Sequence, residues 1–357
     1  MMKVGIVGCG NIAGFHLPHI LRHTGHRFVS VVDVDLQKAE GLAKRFGLSK
    51  IYQDLDKMLY EHNPAVVHIL TPPFAHAEFA IKAMESGCHV LVEKPMALTV
   101  AEADAMLAAA QKNEVKLCVD HNFLFDPNMV MAKELVQKGK VGRVVHVEVH
   151  YGFDIGRLQS LSSNTNAQNH WLLSLPGGLL ADLLPHPSYL LLHFVKNPLQ
   201  VWAVKKSHGI LPKNLPDELR VLVEADNMTG LLSISLGVKP DSFVVTIYGT
   251  EMTVQVNLSN MTLVTRQNRK VPKSLVRLLD NVEQAAQLLS STLSSTFKIA
   301  TGKIRPPGDV GPVITQFYES ISNGAGPPVS GDDGKAVVKF MTAIEKCANE
   351  KIQEAIS

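Results

Sequence analysis

Lys3-Val-Gly-Ile-Val-Gly8, followed at once by Cys9-Gly10-Asn11-Ile12-Ala13-Gly14, is the stretch whose reading decides the fold. The first six residues form a short apolar run of β type. The glycine-rich turn comes next, then a helical stretch to about His23. Arg27-Phe-Val-Ser-Val-Val-Asp33 is a second apolar run, and it ends in an acid. Strand, glycine-rich turn, helix, strand, acid is the order of a dinucleotide-binding unit. Gly8 permits the tight turn, and Gly10 lets the backbone approach a pyrophosphate. Ala13 is small enough for the helix to pack closely on the strand. Asn11 and Ile12 open that helix, whose N-terminus offers N–H groups and a partial positive charge to phosphates. Asp33 would accept hydrogen bonds from the adenosine ribose hydroxyls. A 2′-phosphate there would meet a like charge, costing up to about 4 kcal/mol at about 4 Å with an effective dielectric near 20. Val34 and Asp35 follow Asp33 and Lys38 is the only nearby cation, so NAD is expected rather than NADP.

A chain of 357 residues is too long for one core, so two domains are expected. Apolar content of 46% and charged content of 19% describe a globular protein. A net charge of +2 gives no electrostatic case for nucleic acid or an anionic membrane. Cys9, Cys88, Cys118 and Cys347 lack paired spacing and read as small hydrophobes in a reducing compartment. The N-terminus runs directly into a strand, and no stretch has the roughly 18 apolar residues of a membrane span. The expected location is the cytoplasm.

Beyond Asp33 the chain alternates. Helices are predicted at 36–46, 54–60, 74–86 and 99–112, with strands at 65–70, 88–92 and 115–119. Thr99 with Glu102 makes a capping box. The alternation predicts a doubly wound parallel sheet whose ligands bind at the carboxyl ends of its strands. Thr71-Pro72-Pro73, Glu93-Lys94-Pro95 and Asp120-His121-Asn122 stand at those ends. Near residue 141 the pattern changes. Val145, Val147 and Val149 alternate with His146, Glu148 and His150, and six more strand-like runs follow as far as Thr265. The fold class is therefore α/β: a Rossmann sheet, then an α+β domain with a large, mostly antiparallel open sheet. The expected divisions are 1–122, then 123–335 with a helical insertion at about 266–306, then a C-terminal helix at 336–357 packing back on the first domain. Residues 157–178 read as a loop over the site.

Gly8-x-Gly10-x-x-Ala13, Thr71-Pro72, Glu93-Lys94-Pro95, Asn122 with Asp126-Pro127, and Gly177-Gly178-x-x-x-Asp182-x-x-x-His186 occur in this order. As a set they resemble the glucose–fructose oxidoreductase / inositol dehydrogenase family (Gfo/Idh/MocA), over roughly residues 1–195. The resemblance implies hydride transfer between nicotinamide and a sugar or polyol. It implies Lys94, Asp182 and His186 as the polar catalytic set, and an open sheet that walls the substrate site and often joins subunits. It extends the cofactor-contacting set to Thr71, Pro72, His76, Glu93 and Lys94. The chemistry agrees. Oxidising a secondary alcohol needs a base for the hydroxyl proton, and histidine as a residue type suits that step near neutrality, which points to His186. Asp182, four residues earlier, would share a helical face and could orient the ring. Lys94 would favour a developing alkoxide.

Two departures stand out. The family commonly reads Gly-Ile-His where this chain has Leu184-Pro185-His186-Pro187. Proline breaks a helix interior but suits a first turn, so a new helix is expected at Pro187 with His186 as its cap. Asn122-Phe123-Leu124-Phe125 lacks the arginines often found after the asparagine. The pocket is then expected to take an uncharged sugar or one with an apolar aglycone. His121, Asn122 and Trp171 are candidate lining residues beside Lys94, Asp182 and His186.

His16, His19 and His23 share a helix face, read as solvated or packed, and no metal site is expected. Leu275, Leu278, Leu279, Val282, Ala285, Ala286, Leu289, Leu293 and Phe297 form an apolar stripe through 274–301. Its readings are packing on its own subunit, an oligomer-forming arm, or a surface for a membrane or partner enzyme, with the oligomer ranked above the membrane.

The function expected is NAD-dependent oxidation or reduction of a secondary hydroxyl or keto carbon in a sugar, cyclitol or sugar conjugate by a homo-oligomer. One alternative is an enzyme that retains NAD and oxidises transiently for elimination or epimerisation. The other is a non-catalytic NAD-binding regulatory or assembly protein.

Overall fold

The computed structural model describes residues 2–155, 178–269, 271–302 and 308–350, without the side chains of residues 213, 273 and 274. The chain divides into two compact units, Met1–Asn122 with Val310–Lys339, and Phe123–Asp309 with Phe340–Ser357.

In the first unit the apolar runs become the parallel strands β1 (Val4–Val7), β2 (Val29–Val32), β4 (Val66–Ile69), β5 (His89–Val92) and β6 (Leu117–Val119). A three-residue strand the periodicity had not marked, β3 (Lys50–Tyr52), completes the sheet in the order β3-β2-β1-β4-β5-β6. β1, β2 and β4 are buried along their whole length, as a sheet covered on both faces requires. Helices α1 (Ala13–Thr24), α2 (Leu36–Phe46), α3 (Leu55–His62), α4 (His76–Glu85) and α5 (Val100–Lys112) connect the strands. Their ends are set by local chemistry. Asp35 and Asp54 cap α2 and α3, and Thr99 with Glu102 closes the predicted capping box on α5. The strand order reverses between β1 and β4, and this switch point is where such sheets bind ligands.

The second unit holds a seven-stranded sheet, β13-β12-β11-β7-β10-β9-β8. Its strands are β7 (Val144–Gly152), β8 (Gln200–Lys206), β9 (Glu218–Ala225), β10 (Met228–Ser235), β11 (Ser242–Gly249), β12 (Met252–Asn257) and β13 (Thr262–Gln267). All neighbours are antiparallel except β7 and β10. Helix α6 (Pro127–Gln137) precedes the sheet, and α7 (Leu179–Leu183) and α8 (Pro185–Phe194) follow β7. Leu190 and Leu191 of α8 are fully buried. Gly230 on β10 allows that approach, since a Cβ there would stand 3.1 Å from Leu191 Cδ1.

Three more helices are present, α9 (Lys273–Ala300), α10 (Gly311–Asn323) and α11 (Gly331–Asn349). The sequence reading put α10 with the second domain. It groups with the first unit, where His23 Nε2 lies 3.0 Å from Thr315 Oγ1 and Tyr318 OH 2.8 Å from His68 Nε2. α11 is divided at Lys339. Its later part meets the sheet of the second unit, where Glu345 pairs with Lys205 and Cys347 Sγ accepts from Ala203 N–H at 3.2 Å. The loop predicted over 157–178 lies, apart from Gly178, outside the described residues.

Candidate active site

The nucleotide-binding loop is built from main-chain constraints. Gly8 has φ +95°, and a Cβ on it would stand 2.8 Å from Leu70 C and O. No L side chain fits that turn. Gly10 is different, because a Cβ there would meet nothing within 4 Å. The second glycine therefore leaves open space above the loop. Ala13 is fully buried. No side chain caps the N-terminus of α1, and no acid sits in its first turn, so its partial positive charge is uncompensated locally.

Asp33 ties this loop to β2. Its Oδ2 accepts from Cys9 N–H at 2.8 Å and its Oδ1 from Asp35 N–H at 2.9 Å. The carboxylate is half-buried and fixed at the strand end, where a ribose would present its hydroxyls. Burial, and then the charge of Asp33, push the Cys9 thiol up to about 12, so it stays neutral. Thr71, after β4, has a buried hydroxyl with no hydrogen-bond partner among the described residues. A buried orphan of this kind is expected to be satisfied by a ligand or water. The space over Gly10, the fixed Asp33 and the orphaned Thr71 together fit a dinucleotide.

Pro72 stands half-buried beside Thr71. His76 is fully buried, with Nδ1 2.8 Å from Pro95 O and Nε2 2.8 Å from Thr71 O. Burial holds its pKa below the ordinary value against the pull of those carbonyls. With both nitrogens on main chain, His76 braces the loops after β4 and β5.

Glu93 and Lys94 follow β5. Glu93 is buried, and its Oε2 accepts from Lys94 N–H at 3.2 Å. His16 Nε2 lies 3.0 Å from Glu93 Oε1 and 3.4 Å from Asp120 Oδ2. His16 Nδ1 lies 3.3 Å from His68 Nδ1, which leads on to Tyr318. Burial alone would lower the His16 pKa, but hydrogen bonds to Asp120 and Glu93 raise it to about 9. Burial and the Glu93 charge raise Asp120 to about 6. Burial opposes ionisation of Glu93 too, yet His16 holds it below the usual carboxylate range. Burial and the His16 charge keep His68 neutral.

The histidine face of α1 is therefore split. His16 points inward to two carboxylates from β-strand ends far along the chain, a pairing that helical spacing could not reveal. His16, Glu93 and Asp120 offer ligand atoms within 4.8 Å of one another, and among the described residues no other such group does. Glu93 Oε1 is within hydrogen-bond distance of His16, whereas both Asp120 carboxylate oxygens are buried with no hydrogen-bond partner among the described residues. His121 is also buried, and burial lowers its pKa to about 3, so it is a neutral imidazole. Asn122 is half-buried, and Trp171 lies outside the described residues.

In the second unit, Leu184 is helical and α8 begins at Pro185. A new helix does start beside His186, but two residues earlier than expected, and His186 occupies its first turn instead of its cap. Asp182 closes α7, where its charge, after burial, raises the Tyr151 phenol. His186 Nδ1 lies 3.0 Å from Tyr189 OH, which accepts from Phe123 N–H at 3.2 Å. Phe123, at 5.0 Å between ring centroids, and Tyr151, at 6.4 Å, approach the imidazole edge to face. Tyr151 also stacks on Phe243 at 4.2 Å. The sequence reading missed Tyr189, Tyr151 and Phe243. Only Tyr189 carried a signal, three residues after His186 on one helical face.

Comparison with known proteins gives two family-model matches. Residues 2–121 match the Gfo/Idh/MocA oxidoreductase family model, described as an NAD-binding Rossmann fold, and residues 129–255 match a Gfo/Idh/MocA C-terminal domain. An uncharacterized oxidoreductase of Synechocystis is 30% identical over 238 residues, 66% of this chain and 62% of its own. The D-glucoside 3-dehydrogenase of Escherichia coli is 31% identical over 144 residues, 40% of this chain and 41% of its own. The matched stretches thus span from about two-fifths to about three-fifths of these relatives' lengths. Among solved structures, the WlbA dehydrogenase from Bordetella pertussis, in complex with NADH and UDP-GlcNAcA, shares the fold. Its TM-score is 0.79 at 20% identity, over 98% of this chain and 96% of its own. With both parts of the chain matched in order and the dinucleotide loop formed as that fold requires, the chain belongs to the Gfo/Idh/MocA family of oxidoreductases.

Proposed function

We propose that the chain is an NAD-dependent oxidoreductase that interconverts a secondary hydroxyl and a keto group on a sugar, cyclitol or sugar conjugate. The observation that carries the reading is the Asp33 carboxylate fixed by Cys9 N–H beside the open space over Gly10. That arrangement supports a ribose with a free 2′-hydroxyl and a pyrophosphate over the loop. NAD, when bound, supplies the acceptor for hydride. Gly8, Gly10, Asn11, Ile12, Ala13, Asp33, Thr71, Pro72, Glu93 and Lys94 would hold it, with His76 bracing the loops.

The remaining chemistry falls to four side chains. His186 takes the hydroxyl proton on Nε2 as the C–H bond breaks, and returns it in reduction. Nδ1–H donates to the Tyr189 phenol oxygen, which leaves the lone pair on Nε2 and makes it the exchanging atom. Lys94 stabilises the developing alkoxide, and Asp182 orients the site electrostatically. The aromatic surroundings of His186 favour an uncharged ring, whose C–H face packs on them. The four free thiols suit a cytoplasmic enzyme. The exposed Trp202, Val204 and Leu222 on β8 and β9 suit a homo-oligomer formed through the sheet.

The test is near-ultraviolet absorbance after adding NAD with free, activated and aglycone-linked sugars. NADH formed with one substrate, and lost in His186→Ala, is expected. A protein that neither binds NAD nor turns over any of them would sink the proposal.

A further inference from the structure

One buried cluster of the first unit has no part in the proton transfer described above. Glu93 and Asp120 are the first residues beyond β5 and β6, and Val92 pairs with Val119, so the two acids stand side by side at the strand ends. His16 reaches them from α1. Its Nε2 lies 3.0 Å from Glu93 Oε1 and 3.4 Å from Asp120 Oδ2. His16 is fully buried, Asp120 is 2% exposed and Glu93 8%.

The donors are too few for the acceptors. A carboxylate only accepts, and the pair brings four oxygens. Lys94 N–H serves Glu93 Oε2, and the single proton that His16 can carry on Nε2 serves Glu93 Oε1. Both Asp120 oxygens are left without a hydrogen-bond partner among the described residues. A buried carboxylate without donors is costly, because nothing replaces the hydration it has lost. Even with His16 protonated, two carboxylates and one imidazolium sum to one negative charge. A divalent cation in place of that proton would make the trio neutral and give both acids a partner.

The spacing suits such an ion. Ligand atoms about 2.0–2.2 Å from a tetrahedral zinc stand roughly 3.3–3.6 Å from one another. The 3.4 Å separation already matches, and the 3.0 Å one has to open by only about 0.3 Å. One imidazole nitrogen with carboxylate oxygens is a donor set that zinc accepts. The ring is also held as a ligand ring is. His16 Nδ1 lies 3.3 Å from His68 Nδ1, and His68 Nε2 lies 2.8 Å from Tyr318 OH, so an outer chain keeps Nε2 turned to the acids.

We propose that His16 Nε2, Glu93 Oε1 and the Asp120 carboxylate bind one divalent ion of the zinc type, with the second Asp120 oxygen in the fourth position. Its role is structural: it ties α1, which follows the nucleotide-binding turn, to the ends of β5 and β6. The ion displaces the Nε2 proton, so the metal-free protein is the state in which His16 is an imidazolium. The sequence reading expected no metal, having weighed His16 only with His19 and His23 on its own helix.

The test strips the full chain with a chelator, removes the chelator and titrates zinc chloride by calorimetry. One ion per chain with a Kd of about 1 μM or tighter is expected. Melting temperature should rise by about 5 °C or more at a hundredfold excess of zinc over Kd. X-ray absorption at the zinc edge should show nitrogen and oxygen at about 2.0–2.2 Å and no sulfur. Asp120→Asn keeps the size of the side chain and should bind zinc at least about tenfold more weakly, as should Glu93→Gln. The metal-free melting temperature and NAD affinity of Asp120→Asn show that it is folded. His208→Gln, at an exposed histidine of the second unit, should bind zinc as the parent does. A parent that takes up no zinc overturns the proposal, as do sulfur ligands at the edge or equal affinity in the parent and Asp120→Asn.

Discussion

His186 and Tyr189 lie one helical turn apart on α8, with Nδ1 3.0 Å from the phenol oxygen, and the same oxygen accepts from Phe123 N–H. Tyr189→Phe removes the partner of Nδ1 and leaves that N–H unpaired. A hydrogen bond of about 1–1.5 kcal/mol corresponds to roughly tenfold in rate, so kcat should fall about tenfold with KM little changed. As acceptor from Nδ1–H the phenol oxygen stabilises imidazolium more than neutral imidazole, so its loss should move the acid limb of the pH–rate profile to lower pH. A fall in melting temperature with an unmoved profile would reduce Tyr189 to a packing residue.

The two loop glycines should separate binding from folding. Gly10→Val places a side chain where nothing lies within 4 Å, so melting temperature should hold while NAD affinity drops at least about tenfold. Gly8→Ala forces a Cβ to 2.8 Å from the main chain at φ +95° and should cost several kcal/mol of stability. Calorimetry of both variants, with and without NAD, checks this. Unchanged NAD affinity in Gly10→Val would remove the pyrophosphate from the loop.

Asp33→Asn keeps the size of the side chain and removes its charge. The discrimination against a 2′-phosphate should weaken, with the NADP-to-NAD affinity ratio rising about tenfold, the equivalent of roughly 1.4 kcal/mol. Titration with both cofactors reads it. A ratio that stays constant would mean that Asp33 serves only to hold Cys9 N–H.

The buried His16 gives the fold a pH dependence with a definite sign. Its folded pKa is about 9 against the ordinary 6.5, so its stabilisation is complete below 6.5 and is lost as pH rises towards 9. The loss should be on the order of 2 kcal/mol. Asp120, raised to about 6 from 3.8, acts in the same direction over a lower window, because the folded state binds its proton more tightly. Thermal melts from pH 6.5 to 9 should fall in the parent and run flatter in His16→Gln. His16→Ala, which strands two carboxylates, should cost about 3–5 kcal/mol at neutral pH. Parallel pH dependence in parent and His16→Gln would dismiss the charged pair.

What the sequence could show depended on how local each feature is. The β1 turn, the capping box at Thr99 and the alternation along β7 are set by neighbours in the chain, and each is found where its pattern placed it. β3 escaped notice because three half-buried residues carry no readable period. The assembly of His16 with Glu93 and Asp120 needed α1 brought to two strand ends that lie 77 and more residues further along the chain. The start of α8 was foreseen from its prolines but placed two residues late, since either proline suits a first turn. For α9 the stripe was plain, whereas its outward direction was set by Gln287 and Ser291 bonding to an edge strand, which no periodicity reports.

Those last two bonds also bear on the rim of the large sheet. β13 is its terminal strand, and the amides of Leu263 and Thr265 are already committed to Ser291 and Gln287. A rim whose outward amides are taken offers no template to an incoming strand. Strand-by-strand growth of the sheet is thereby discouraged on the β13 side, and on the β8 side the Ala203 amide is likewise taken, by Cys347 Sγ of α11.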